Sequence, residues 1–220
     1  YLKTKNGVID PLFFQYCDSA FSNVSISPEV KYERLVHFLS SKDLNNYVVN
    51  SSDQYIKSFF SRSFDYCVAC SPDFESFYSI YSNHLLLYKR VNEAIDVLSG
   101  FLRYYQGSAD IWQSYLTLLS STGRLNDFSE QTAIAYAFYP ADPVILLFYR
   151  ESLNINKRYS EAIPLLNKCL DIISEGNSNT NTNYQVSVLN SLANSYYEVD
   201  SLSKSFECYE KVISIDAHNM

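Results

Sequence analysis

Glycine and proline are scarce in this chain, at five and six of 220 residues. A multi-stranded sheet needs many tight turns that draw on both, so their scarcity favours helices joined by short connections. Basic clusters are missing as well. Lysine and arginine total 17 against 24 acidic residues, giving a net charge of −7 and a pI near 4.9. Binding to a phosphate backbone is driven by counterion release from basic side chains, so this balance argues against nucleic acid as a partner. No apolar run reaches the roughly 18 residues that a membrane-spanning helix requires. The chain opens on Tyr1 with no charged-then-apolar leader, and that opening is uninformative about targeting. Five cysteines, an odd number in a chain this long, do not make a disulfide framework.

Motifs that carry chemistry are absent too. No GxxxxGK[ST], GxGxxG or GxSxG occurs, so phosphate cradles and nucleophile elbows have no support. Cys67-Val-Ala-Cys70 is a CxxC, but it falls inside a predicted helix with neither a second CxxC nor a suitably spaced histidine. Zinc or redox use needs such partners, and buried helical thiols are the simpler reading. His37, His84 and His218 are far apart and read as ordinary surface or half-buried histidines. Nothing points to a cofactor, a metal site or an enzyme.

What is present is a globular, aromatic-rich composition, 47% hydrophobic with 20 tyrosines and 14 phenylalanines, and a repeated phrase. VNEAIDVL at 91–98 returns as YSEAIPLL at 159–166, an offset of 159 − 91 = 68 residues, or two periods of 34. Anchored on Trp112, the period defines units 75–108, 109–142, 143–176 and, after an interruption, 186–219. Apolar i,i+4 pairs recur in the first half of each unit: Tyr81 and Leu85, Tyr115 and Leu119, Tyr149 and Leu153, Leu192 and Tyr196. Such pairs share one helix face. Val91, Leu125, Tyr159 and Leu202 open a second helix in each unit, and Phe101, Ala135, Cys169 and Val212 continue its inner face. Short polar turns at 89–90, 121–124, 156–158 and 199–201 separate the halves. Each unit is therefore a helix, a tight turn and an antiparallel helix.

In these residues the chain resembles the tetratricopeptide repeat (TPR) family: Trp112, Gly123, Ala135 and Pro140 in one unit, Tyr159, Glu161, Ala162 and Ile163 in the next, and Leu192, Ala193, Tyr196, Tyr209, Asp216 and the closing AHN in the last. The resemblance covers roughly 75–219. It implies an all-α, right-handed superhelical solenoid of antiparallel helix pairs. Residues 1–74 read as an irregular helical N-terminal region with degenerate repeats and helices near 10–22, 28–41 and 53–71; Ser27-Pro28-Glu29 looks like an N-cap, an N1 proline and an acidic first turn. Leu116, Phe128 and Arg150 stand where the family keeps small residues, so those helices should sit further apart or be rotated. Pro164 should fall in the first turn of a helix capped by Ser160. The Asn/Ser/Thr-rich stretch 174–185 should be mostly loop, set as 177–185 between the last two units, or should instead lengthen the flanking helices at its two ends.

The resemblance also implies function. First helices of such repeats line a concave groove, and the corresponding residues here are Ser79 and Asn83, Gln113 and Thr117, Leu147 and Glu151, and Asn190, Asn194 and Tyr197, with Ser76, Asp110 and Asn154 at flanking positions. Amides and hydroxyls there could hydrogen-bond the backbone of an extended peptide, with Leu147 and Tyr197 as apolar contacts. Family members that grip a C-terminal carboxylate do so with lysines, arginine and asparagines. The matching positions are Ser79, Asn83, Ser114, Val144 and Phe148, where every cation is missing, so that clamp is not expected. The implied role is a non-enzymatic interaction module for a protein or peptide partner. The alternative is a structural segment that stacks with itself as a homo-oligomer or with flanking repeats of a longer chain. Irregular N-terminal helices and a Tyr/Asn/Ser-rich composition look similar to bacterial extracytoplasmic TPR proteins, whereas free cysteines lean towards a reducing compartment.

Overall fold

The computed structural model describes residues 9–175 and 181–217. Among them all regular structure is α-helical. The chain forms two compact units, one reaching Gly107 and the other beginning at Ser108. The division falls one unit after residue 75, where the regular repeats are expected to begin. His218 and Asn219 of the closing motif lie outside the described residues.

The first unit holds α1 (Pro11–Phe21), α2 (Pro28–Ser40), α3 (Lys42–Asn50), α4 (Gln54–Lys57), α5 (Phe59–Cys70), α6 (Glu75–Leu87) and α7 (Val91–Leu102). Three helices expected before residue 75 are five. Helix α3 escapes notice because Ser41 ends α2 and caps α3 at once, leaving no loop to announce it. The Asn45 amide then closes the corner by donating to the Leu39 and Ser41 carbonyls, each at 2.8 Å. The expected 53–71 helix breaks at Ser58, whose hydroxyl bonds back to the Gln54 carbonyl at 2.9 Å. Ser27 does occupy the N-cap of α2, but its side chain makes no capping bond.

The core of this unit is aromatic. Phe14 and Phe59 meet edge to face at 5.0 Å, and Phe64 stacks on Tyr81 at 4.4 Å. His84 lies against Phe60, Phe64 and Tyr88 at 5.0–5.5 Å between ring centroids. Cys67 is buried, and burial pushes its thiol up to about 12 against the opposing charge of Lys31. Its CxxC partner Cys70 directs its thiol at the Ser22 carbonyl, 3.4 Å away. Cys67 is therefore a poor nucleophile that belongs to the packing.

The second unit holds α8 (Ala109–Ser121), α9 (Leu125–Phe138), α10 (Pro143–Ile155), α11 (Tyr159–Glu175), α12 (Asn181–Glu198) and α13 (Leu202–Ala217). Helix α12 starts at Asn181, so residues 181–185 are helical rather than loop. Their polar side chains do not prevent helix when the following turns bury Val188, Leu189 and Leu192. Helix α11 starts at Tyr159, as its turn dictates, which places Pro164 beyond the first turn instead of within it. The carbonyl it leaves without an amide partner belongs to exposed Ser160, where water can serve. Leu116 and Phe128 are accommodated fully buried, and α8 and α9 pack less extensively than the helices of the other repeats. One core cluster joins Leu146, Leu166, Cys169, Val188, Leu192 and Cys208.

All four pairs turn in the same way. Lys89, Gly123, Lys157 and Asp200 have φ between 57° and 72°. The next residue's amide reaches back to a first-helix carbonyl: Arg90 to Leu85 and Arg124 to Leu119 at 3.0 Å, Arg158 to Leu153 and Ser201 to Tyr196 at 2.8 Å. This is the left-handed cap that closes a helix C-terminus and reverses the chain. A Cβ on Gly123 would meet no atom within 4 Å, so glycine is there for its backbone alone. Gly123→Ala is expected to cost about 1 kcal/mol, and Lys157→Gly to recover part of a similar strain, both read from urea unfolding.

Burial, and secondarily the Arg90 charge, pull the His84 imidazole down to about 4 from its ordinary 6.5. The folded chain thus holds His84 neutral where the unfolded chain protonates it. Its contribution is neutral above the unfolded value and becomes a loss of stability as pH falls from there towards the folded value. Between about pH 7 and about pH 4.5 the native chain should lose on the order of 2 kcal/mol more than a His84→Gln variant, by urea denaturation.

Candidate functional site

In the second unit the first helices of successive repeats, α8, α10 and α12, are joined by side-chain bonds. The Gln113 amide donates to both carboxylate oxygens of Asp142 at 3.2 Å. Asp142 also caps α10, accepting from the amides of Val144 and Ile145 at 3.0 and 2.9 Å. Arg150 Nη1 donates to Ser191 Oγ on α12 at 2.6 Å. These bonds tie α8 to the start of α10, and α10 to α12.

The groove residues expected from the sequence are distributed over both units. Gln113, Thr117, Leu147, Glu151, Asn190, Asn194 and Tyr197 share the second, whereas Ser79 and Asn83 sit on α6 of the first. Several have their bonding capacity in use. Gln113 is engaged with Asp142, and Thr117 Oγ1 donates to the Gln113 carbonyl at 2.7 Å. Asn194 Oδ1 accepts from the Tyr209 hydroxyl at 2.6 Å. Leu147 is half-buried against the core cluster. Glu151 and Asn190 are half-buried, and Tyr197 is 61% exposed.

Arg150 and Asn154 gain importance from the structure. With Leu147 and Glu151 they lie at i, i+3, i+4 and i+7 along one face of α10. Arg150 Nε and Asn154 Oδ1 are buried polar atoms without a hydrogen-bond partner. Burial depresses the Arg150 guanidinium, opposed by the charge of Glu151. The sequence signal was a cation where these repeats hold a small residue, which suggests helix displacement when read as volume alone. The side chain instead inserts between α10 and α12, leaving one donor and, a turn away, one acceptor unspent.

Within the first unit, Asn83 lies on the wall of a cleft of about 780 Å³ between α6 and the α2–α3 corner. Val36, Leu39, His84, Leu87 and Tyr88 are among the residues that line it. Leu87 is 81% exposed. Among the described residues no three histidine, cysteine or acidic side chains converge as a metal ion would need, and no helix is long and apolar enough to cross a membrane.

No protein-family model and no curated protein matches the sequence. Solved structures do match in three dimensions. MamA (residues 41 to the end) from Desulfovibrio magneticus RS-1 superposes with a TM-score of 0.60 at 10% identity, over 87% of this chain and 96% of that one. YrrB, described as a TPR protein with an unusual peptide-binding site, gives 0.58 at 13% identity, over 86% and 93%. PilF of Pseudomonas aeruginosa gives 0.54 at 12% identity, over 85% and 75%. Helix pairs closed by the same left-handed turn, together with these superpositions, identify the fold of the chain as that of the tetratricopeptide repeats.

Proposed function

We propose that the chain is a non-enzymatic interaction module that binds an extended segment of a protein partner along the concave, first-helix face of its repeats. The observation that carries this reading is the set of accessible polar and aromatic side chains on the first helices α10 and α12, half-buried Glu151 and Asn190 with 61% exposed Tyr197. A carboxylate and an amide there can accept from and donate to the alternating N–H and C=O groups of a peptide backbone. Exposed Tyr197 and half-buried Leu147 offer apolar contact on the same helices, and YrrB is a precedent for peptide binding on this fold.

The test is selection from a random peptide library on the intact chain, followed by anisotropy titration of an enriched peptide. Glu151→Ala and Tyr197→Ala are each expected to weaken binding roughly tenfold with helicity unchanged. Failure to enrich any sequence, or equal affinity for all variants, refutes the reading.

One observation favours an assembly role as a second reading. Leu202, Phe206, Tyr209 and Ile213 form a stripe along α13 and are 38–68% exposed. The corresponding residue to Tyr209 in α11 is Leu166, buried in the cluster with Val188 and Leu192 of α12. Within this chain, such a stripe is therefore covered by the first helix of a following repeat. If a second copy supplies the cover, sedimentation should show concentration-dependent dimers that Phe206→Ser with Ile213→Ser abolishes. A monomer at every concentration excludes self-stacking.

A further inference from the structure

A second cleft in the first unit, about 500 Å³, lies across α5, α6 and α7 and carries a different chemistry. Its walls include Tyr78, Tyr81, Tyr104 and Tyr105 together with the carboxylates of Asp65 and Asp96, and no lysine or arginine lines it. Among the described residues, none holds either acidic side chain by an ion pair or a hydrogen bond. Partial burial raises the Asp65 carboxyl, though the residue stays exposed to solvent, and no cation opposes that shift.

The rings are held before any ligand arrives. Phe64 stacks on Tyr81 at 4.4 Å and Phe101 on Tyr105 at 5.1 Å, leaving the remainder of each ring to line the cleft. The Tyr78 hydroxyl donates to the Pro72 carbonyl at 2.9 Å. Tyr104, 77% exposed, is the ring free to close over an occupant. Gly100 stands in the last turn of α7 on the same wall, with an ordinary helical φ, and a Cβ there would meet no atom within 4 Å. A glycine within a helix costs up to about 1 kcal/mol relative to alanine. No neighbouring helix demands it here, and its effect is to leave the cleft open.

We propose that this cleft binds an arginine side chain from a basic segment of a protein partner, the guanidinium stacked on the tyrosine rings and paired with Asp65 and Asp96. The chain already holds one arginine in this way. Arg62 lies 3.9 Å from the Tyr55 ring centroid and pairs with Asp18 at 3.0 Å. The cleft offers the same two elements, phenol ring and carboxylate, without the cation. Arginine suits it better than lysine because a planar guanidinium stacks on a ring while bonding a carboxylate in its own plane. The volume admits the side chain and part of its flanking backbone. This site is separate from the first-helix face of the second unit and does not depend on peptide binding there.

The test is amide-resolved NMR titration of the intact chain with the neutral-capped probe Gly-Ser-Arg-Gly-Ser-Arg-Gly, alongside its lysine and citrulline counterparts. The arginine peptide should shift the amides of residues 100–105, lysine should bind several-fold more weakly, and citrulline should not bind. Gly100→Leu, which fills the cleft, should abolish the shifts, and Asp65→Asn with Asp96→Asn should weaken binding roughly tenfold. In each variant the remaining amide spectrum reports that the fold is intact. Shifts scattered over the acidic surface, equal for arginine and lysine, overturn the proposal, as does binding that survives both variants. Substitution of Glu151 or Tyr197 should leave the titration unchanged, so failure at one site is read independently of the other.

Discussion

The left-handed turn between paired helices is the constraint from which the rest of the repeat structure follows. A first helix ends with four carbonyls lacking amide partners. Reversing the chain at Lys89, Gly123, Lys157 or Asp200 lets the next amides return to those carbonyls while the second helix starts at once, antiparallel to the first. Only one of the four positions is glycine, so strain of about 1 kcal/mol is tolerated at the others. Adjacent pairing helps to hold it. Arg90 with Glu93, Arg124 with Asp127 and Arg158 with Glu161 each span three residues at 2.5–2.7 Å across the new helix's first turn. Exposed pairs of this kind contribute little each, but they place an acid at the positive end of the helix and so favour the start that the turn imposes.

Once the pairs are closed, side-chain volume at the crossings decides what each surface can do. Ala94, Ala162 and Ser205 let second helices approach their partners, and Ser205 adds a buried bond from its hydroxyl to the Ala193 carbonyl at 2.9 Å. Arg150 departs from this pattern, and its departure creates chemistry. A guanidinium inserted between α10 and α12 finds one partner, Ser191, while its Nε and the neighbouring Asn154 side-chain oxygen Oδ1 remain unsatisfied. The side chain that departs from the small-residue pattern thus also supplies the bond between the first helices α10 and α12.

The helix-pair fold was legible because apolar i,i+4 spacing and short polar turns recur, and both are local properties of the chain. What escaped depended on non-local geometry or on a shared residue. Helix α3 was hidden because Ser41 serves two helices, and Pro164 was misplaced because the preceding turn, not Ser160, sets where α11 begins. The Arg-x-x-acid cap was visible as a 34-residue recurrence at 90, 124 and 158, yet its meaning needed the turn that precedes it. For the expected groove residues, sequence position could place Gln113, Thr117 and Asn194 on first helices but could not show that intramolecular bonds occupy them. Arg150 was legible as a misfit in volume and not as a charge with a partner.

Tyrosine abundance acquires a physical reason from this architecture. A stack of helix pairs is thin, and nearly every core position lies within one side chain of solvent. Aliphatic residues there would expose apolar surface, whereas a tyrosine buries its ring and leaves its hydroxyl to water or to a carbonyl. Tyr78 and Tyr209 show the two outcomes, one hydroxyl closing a turn on Pro72 and the other bonding an exposed asparagine. The same rings that complete a thin core therefore present phenol edges and faces along its clefts. Where aspartates rather than lysines stand beside them, as around Asp65 and Asp96, the surface is selective for a cation. In an acidic chain that selectivity costs no additional fold, because it reuses rings already fixed by the packing of Phe64 and Phe101.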